Sequence, residues 1–320
     1  MSLVTHRFVE ANGIKIHVAE QGEGPVVLLC HGFPESWYSW RHQMRALAQA
    51  GFRAIAPDMR GYGQTGRPVA IEDYTIFHLV GDMVGLLDAL GVAEAVIAGH
   101  DWGAPVAWSA AMFRPDRFRA VMGLSVPYRP RGLVPPTSRM PKSETAMFYQ
   151  LYFQEPGLAE AAMAADVRGA LHKLLYASSA EGFRGGVGLA MVNPDKGYLA
   201  MPLPDRLPAW LDEADLDFYT REFSRTGFAG ALNWYRNIDR NWALTGAFAK
   251  APIRVPALYM AGDKDLVTAF PGMDKVIATM GEFVPDLRGK ITLSECGHWT
   301  QQERPDEVNA AMLAFLHQLS

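Results

Sequence analysis

The chain is poor in cysteine: Cys30 and Cys296 are the only two in 320 residues. Two cysteines cannot form the disulfide framework of a small secreted protein. Each stands at the end of an apolar run, so we expect buried free thiols and a reducing, cytoplasmic environment. Residues 1–13 lack the apolar segment of a signal peptide, and no apolar run approaches the roughly 20 residues that span a bilayer. We therefore expect no membrane association.

Basic stripes and clusters of metal ligands are also missing. The formal net charge is −4, and no Lys/Arg-rich face of the kind that binds nucleic acid is visible. Cysteine and histidine do not recur at the spacings of a metal site. We therefore expect neither a nucleic-acid partner nor a metal or organic cofactor. The hydrophobic content of 49% in 320 residues is enough for a large core, as in one domain with an insertion.

The most informative segment that is present is Gly99–Gly103 (GHDWG). It has the pattern of a nucleophile elbow, a sharp strand-to-helix turn, but Asp101 stands where many enzymes have serine. The apolar run 95–98 precedes it and the alanine-rich stretch 104–112 follows. A carboxylate there can attack carbon and form an ester, and the missing serine disfavours a serine esterase. The simpler interpretation is that Asp101 only caps the helix.

Apolar runs and helical periodicity alternate along both ends of the chain, which predicts a mostly parallel sheet covered on both faces. The predicted strands are 13–19 (at a sheet edge), 25–30, 52–57, 95–98, 118–126, 255–261 and 290–294, and the clearest helices are 74–90, 104–112 and 306–319. Residues 127–241 are helical and show no clear strands. We divide the chain into a core of residues 1–128 and 246–320 and an inserted helical lid of residues 129–245.

Three functional side chains fall at the ends of predicted strands: Asp101, Asp265 and His298. Sites in α/β sheets form at this edge, and the order nucleophile, acid, histidine is that of α/β-hydrolases. His298 would be the general base, and Asp265 would orient it. Asp263 is a rival for the acid. Taken singly, His298 could be a structural loop residue and Asp265 a turn residue.

An oxyanion hole in this architecture needs two backbone N–H groups. One comes from the residue after the nucleophile, Trp102. The other comes from the loop that follows an early strand, where it would belong to Phe33. His31 and Glu35 are expected to shape that loop. The sequence leaves open whether the bond before Pro34 is cis.

The motifs together resemble the soluble epoxide hydrolases of the α/β-hydrolase superfamily. Dehalogenases share the elbow, but two lid segments, YFQEPG and NWYRN, are typical of epoxide hydrolases. The matching segments span nearly the whole chain: His31–Trp37 (HGFPESW), Arg60–Gly63 (RGYG), Gly99–Ala104 (GHDWGA), Tyr152–Gly157 (YFQEPG), Leu232–Asn237 (LNWYRN) and Gly297–Trp299 (GHW).

The resemblance implies that two lid tyrosines, Tyr152 and Tyr235, act as acids on the epoxide oxygen. A phenol stays protonated at neutral pH and can donate a hydrogen bond. Tyr149, Tyr198 and Tyr219 are then packing residues. The implied partners are a small apolar epoxide and water, and the protein is expected to be a monomer or homodimer. The expected substrate contacts are Phe33, Trp102, Phe153, Trp234 and Trp299.

Two alternatives remain at this point. A haloalkane or haloacid dehalogenase would use the same aspartate chemistry, with the Trp102 indole as one halide donor. A non-catalytic ligand-binding protein could also use this fold, because fold alone does not fix function.

Overall fold

The structure is a computed structural model that describes residues 3–185 and 190–319. Its centre is an eight-stranded sheet in the order β1-β2-β4-β3-β5-β6-β9-β10, antiparallel at the β1-β2-β4 end and parallel elsewhere. The strands are β1 (Thr5–Ala11), β2 (Ile14–Gln21), β3 (Val26–Cys30), β4 (Arg53–Pro57), β5 (Ala95–His100), β6 (Phe118–Leu124), β9 (Ala257–Gly262) and β10 (Leu287–Leu293), and the short strands β7 (Met147–Phe148) and β8 (Met191–Val192) form a separate pair.

Helices cover both faces of the sheet and fill the segment between β6 and β9. They are α1 (Arg41–Gln49), α2 (Ile76–Ala89), α3 (Gly103–Phe113), α4 (Tyr149–Tyr152), α5 (Leu158–Ala164), α6 (Val167–Ala177), α7 (Glu213–Thr226), α8 (Ala229–Arg236), α9 (Ile238–Leu244), α10 (Met273–Thr279), α11 (Thr300–Glu303) and α12 (Pro305–His317). The apolar sides of α1 and α12 pack on one face of the sheet, and those of α2 and α3 pack on the other. The predicted fold, a mostly parallel sheet flanked by helices, is confirmed.

The sequence does not predict β1, and the prediction of which strand lies at the sheet edge is therefore wrong. The segment assigned to a sheet edge is β2, which lies inside the sheet between β1 and β4. The edge strand is β1, whose residues are mostly exposed and polar. Because a solvated edge strand has little apolar signal, its sequence does not stand out.

The segment 129–245 contains α4 to α9 and the β7–β8 pair. The expectation that this segment holds no strands is therefore wrong, because two short strands are present. Each has only two residues, too few for a periodic pattern. All strands of the large sheet lie outside this segment. The boundaries at 128/129 and 245/246 stay a prediction.

Both cysteines are buried free thiols, as expected. Among residues 3–185 and 190–319, none of the helices is at once long and apolar enough to cross a membrane.

Candidate active site

Asp101 stands at the sharp turn between β5 and α3, with the left-handed φ of +49°. This conformation is uncommon for a non-glycine residue and is found at strained functional turns. The glycines on either side are required by close backbone approaches. A Cβ on Gly99 would lie 2.0 Å from the Gly103 carbonyl oxygen, and one on Gly103 would lie 2.0 Å from that of Cys30. The GxDxG pattern therefore reflects a turn packed directly against β3.

His298 lies between two carboxylates. Its Nε2 is 3.3 Å from Oδ2 of Asp101, and its Nδ1 is 3.1 Å from Oδ1 of Asp265. Asp265 is fully buried, and its Oδ1 also accepts the Val267 N–H at 2.9 Å. The rival Asp263 accepts the backbone N–H of Cys296 instead. The structure thus brings together the three side chains predicted from the strand ends.

Asp101, His298 and Asp265 stabilise one another's charged forms. Burial alone would raise the pKa of the Asp101 carboxyl, but the hydrogen bonds from His298 and Phe33 and the nearby histidine charge outweigh it and lower the pKa. Burial alone would lower the pKa of His298. The carboxylates of Asp265 and Asp101 outweigh that effect and raise its pKa well above the ordinary value. Both shifts favour an Asp101 carboxylate beside a protonated His298.

The loop after β3 approaches the aspartate closely. The Phe33 N–H donates to Oδ1 of Asp101 at 2.8 Å, and the Phe33–Pro34 bond is cis. A Cβ at position 32 would lie 2.4 Å from the same oxygen, so any other residue there would displace the Asp101 carboxylate or the loop. Trp102 directly precedes α3, at a helix N-terminus where backbone N–H groups lack intrahelical partners.

His31 and Glu35 hold that loop, as expected from the sequence. Glu35 is buried, and its carboxylate accepts the Gly32 N–H at 3.0 Å and pairs with Nδ1 of His100 at 2.8 Å. Nε2 of His31 accepts the Met59 N–H at 2.9 Å. Because a buried carboxylate is costly unless it is paired and hydrogen-bonded, this network fixes the loop firmly.

The cavity above Asp101 contains tyrosines, and they differ from the pair that the resemblance implies as acids. The cavity is lined by Tyr149, Tyr198 and Tyr235, together with Asp101 and His298. Tyr152 is not among the lining residues. Its hydroxyl instead takes a hydrogen bond from the backbone of Tyr198.

The physical reason lies in α4, a single turn that begins at Tyr149. Tyr149 and Tyr152 are three residues apart, so their side chains leave the helix about 60° apart and at different heights. The cavity side of the turn belongs to Tyr149, whose ring centroid is 5.9 Å from that of Tyr235. Burial, with the Asp101 charge as a further cause, raises the pKa of both Tyr149 and Tyr235, so both hydroxyls stay protonated.

Of the five expected substrate contacts, Phe33 and Trp299 line the cavity. Trp102, Phe153 and Trp234 do not. The indole of Trp234 is buried and donates to the carbonyl of residue 60. Phe153 and Trp102 pack their rings around Tyr235, each with its centroid 5.0 Å away. Phe153 and Trp102 therefore support the ring of Tyr235, and none of the three aromatic residues forms the cavity wall.

Sequence reasoning missed Ser125. It follows β6, is fully buried, and places its Oγ 2.9 Å from Nδ1 of His298. Asp101, Asp265 and His298 were selected as polar residues that follow a predicted strand, and the same rule applies to Ser125. Within the described residues, no group of three or more His, Cys, Asp or Glu side chains is arranged to hold a metal ion.

Comparison with known proteins agrees with this geometry. A family described as alpha/beta hydrolase fold matches residues 25–305. Epoxide hydrolase A of Mycobacterium tuberculosis is 45% identical over 320 residues, which cover 99% of this chain and 98% of that protein. Epoxide hydrolase 3 of Siraitia grosvenorii is 43% identical, with 99% of each chain covered.

A solved structure of an epoxide hydrolase from an endophytic Streptomyces superposes with a TM-score of 0.92 at 45% identity. The match covers 99% of this chain and 96% of that one. Each of these matches covers 99% of the chain, so each includes the elbow, the segment 129–245 and the residues around His298. The chain therefore belongs to the epoxide hydrolases, a family of enzymes in the α/β-hydrolase superfamily.

Proposed function

We propose that this protein hydrolyses epoxides to vicinal diols through a covalent ester on Asp101. The observation that carries the proposal is a lone carboxylate at the elbow, faced by the phenols of Tyr149 and Tyr235 and by His298. A carboxylate nucleophile opposite proton donors suits a strained ring whose oxygen must be protonated as it leaves.

In the first half-reaction a carboxylate oxygen of Asp101 attacks one epoxide carbon, and the bond from that carbon to the ring oxygen breaks. Tyr149 and Tyr235 donate hydrogen bonds to the leaving oxygen, and one of them passes its proton to it. The product is a hydroxyalkyl ester. Tyr149 replaces Tyr152 in this role because it lines the cavity.

In the second half-reaction His298, oriented by Asp265, first passes its proton to the tyrosinate. It then takes a proton from water, and the water oxygen bonds to the carboxyl carbon of Asp101. The N–H groups of Phe33 and Trp102 are the proposed donors to the resulting oxyanion. Collapse breaks the ester bond and leaves a carboxylic acid and an alkoxide. The carboxylic acid proton passes to the alkoxide, which restores the Asp101 carboxylate beside the His298 imidazolium and releases the diol.

The expected substrate is a small apolar epoxide. Phe33, Leu174, Val267 and Trp299 give the cavity an apolar wall, and its polar groups converge on the reacting atoms. The proposal includes a cytoplasmic location, which two buried free thiols fit. It also includes a monomeric or homodimeric state.

Product analysis and isotope labelling test this proposal. Wild type should convert trans-stilbene oxide to its diol and release no halide from a bromoalkane. A single turnover in H₂¹⁸O should place the label in the peptide that contains Asp101 and not in the diol. Asp101→Ala should abolish turnover, and His298→Gln should accumulate the ester, detected as a mass increase of the intact protein. Halide release without diol would identify a dehalogenase instead. Normal turnover by His298→Gln would show that His298 is not the base.

A further inference from the structure

Ser125 presents a buried hydroxyl that the proposed mechanism leaves unused. Its Oγ lies 2.9 Å from Nδ1 of His298, whereas Oδ1 of Asp265 lies 3.1 Å from the same nitrogen. An imidazole nitrogen carries at most one hydrogen. Two oxygen atoms therefore compete for, or share, one hydrogen on the far side of the ring from Asp101.

The backbone holds Ser125 in this position. Its φ is +67°, the left-handed region that non-glycine residues seldom adopt. Its N–H donates to the carbonyl of Met260 at 2.8 Å, and the hydroxyl of Tyr259 donates to its carbonyl at 2.8 Å. Both partners belong to β9, the strand that leads to Asp265. One strand thus fixes both oxygens that meet Nδ1.

Hydrogen-bond chemistry decides the direction of the Ser125 contact. If Ser125 donated to Nδ1, the hydrogen of a neutral His298 ring would sit on Nε2, and that nitrogen could not take a proton from water. Asp265 already accepts the Val267 N–H through the oxygen that faces Nδ1, and as a carboxylate it has only acceptor capacity. It therefore fixes the hydrogen on Nδ1, and Ser125 accepts.

We propose that Ser125 is a positioning residue for ester hydrolysis: its Oγ shares the Nδ1–H of His298 with Asp265, holds the plane of the ring and stabilises the imidazolium that forms when water is deprotonated. This inference rests on the proposed role of His298 as the base. The ester-forming step does not require His298 as a base, so Ser125 should matter for the second half-reaction alone.

Two variants separate the hydroxyl from the backbone conformation. Ser125→Ala removes the hydroxyl, and Ser125→Gly removes it while fitting the left-handed φ better. Rapid mixing with an epoxide, followed by acid quench and mass spectrometry, measures ester formation and ester hydrolysis separately. Ester formation should be unchanged, and hydrolysis should slow about tenfold in both variants, as expected for loss of a hydrogen bond to a charged group that keeps a second partner. The ester should then accumulate at steady state.

The pH dependence of kcat distinguishes positioning from a merely structural role. His298 is faced by Asp101, Asp265 and the ring of His100, whose centroid is 4.9 Å away. Glu303 lies nearby and accepts the N–H of Gly297, the residue before His298. The variants leave all four groups in place. Losing an acceptor of Nδ1–H destabilises the imidazolium, so the acidic limb of the kcat profile should move to lower pH.

Several results would overturn the inference. Wild-type hydrolysis rates in both variants would do so, as would slow hydrolysis in Ser125→Ala with a normal rate in Ser125→Gly, which would assign the effect to the backbone. Faster hydrolysis, or an acidic limb moved to higher pH, would mean that Ser125 donates to Nδ1. His298→Gln serves as the reference: if it fails to trap the ester, the proposed base is wrong, and that failure is separate from any result at position 125.

Discussion

The proposal that Tyr149, and not Tyr152, is a lid acid gives the sharpest prediction, because both tyrosines lie in one helical turn. Tyr149→Phe and Tyr235→Phe each delete one buried hydroxyl that faces the cavity and keep the ring. Tyr152→Phe deletes a hydroxyl of the same kind, bonded outside the cavity to the backbone of Tyr198. The three variants are thus matched in chemistry and differ in position.

The magnitude follows from what each hydroxyl does. A donor to a developing oxyanion in a water-poor site is worth on the order of 10²- to 10³-fold in rate, so Tyr149→Phe and Tyr235→Phe should each lose about that much. With both donors absent, the leaving oxygen has no acid, and turnover should fall below detection. Tyr152→Phe should keep wild-type activity and lose about 1 kcal/mol of unfolding free energy, because one backbone hydrogen bond is left unmade.

The assay is diol formation from trans-stilbene oxide, reported as kcat/KM, with thermal unfolding measured on the same preparations. Rapid-quench detection of the ester should show that the losses in the two active-site variants lie in ester formation. Wild-type kcat/KM in Tyr149→Phe together with a large loss in Tyr152→Phe would refute the assignment made from the cavity.

Three further outcomes are expected. Gly32→Ala should fold but lose roughly 10²-fold in kcat/KM, because its Cβ would lie 2.4 Å from Oδ1 of the nucleophile; circular dichroism and kinetics check this. Asp101→Asn should lower the pKa of His298, seen by NMR titration of the imidazole, because it removes one of the two carboxylates that raise it; an unchanged pKa would contradict this. Gly230→Ala should lower the melting temperature by overpacking worth about 1–3 kcal/mol, since its Cβ would lie 2.8 Å from the backbone of residue 61, whereas Gly246→Ala, with open space around it, should not.

Much of the site could be predicted from sequence because its parts obey strong local rules. Asp101, Asp265 and His298 each follow a predicted strand, and parallel strands bring their carboxyl ends to one edge of the sheet. Three residues that are distant in the sequence are therefore expected to meet without knowledge of the lid. The Phe33 N–H follows from the same rule. Parts of the chain with weak periodicity were harder: β1 is a polar edge strand, and its absence from the prediction put β2 at the edge.

The choice between Tyr149 and Tyr152 could not be made from sequence. Both tyrosines fall in an aromatic stretch, and which hydroxyl enters the cavity depends on where α4 begins and how it meets the β7–β8 pair. Trp234 shows the same difficulty. It adjoins Tyr235 in sequence, yet its indole donates a hydrogen bond to the carbonyl of residue 60 and does not line the cavity. Neighbours on a helix point about 100° apart, so a motif can identify the helix without identifying the side chain that acts.

The position of His298 between two carboxylates explains how one histidine can serve a two-step reaction. In the free enzyme both charges raise its pKa, and the resulting imidazolium helps to keep Asp101 ionised and ready to attack. In the proposed mechanism, ester formation removes the Asp101 charge and leaves Asp265 as the remaining carboxylate beside the ring. The pKa of His298 must then fall, because one of its two stabilising charges has gone. The ring gives up its proton to the tyrosinate that ester formation leaves, and the neutral imidazole can then act as the base. On this reasoning the ester itself switches the histidine from cation to base, so the reaction orders its own protonation states without any movement of the lid.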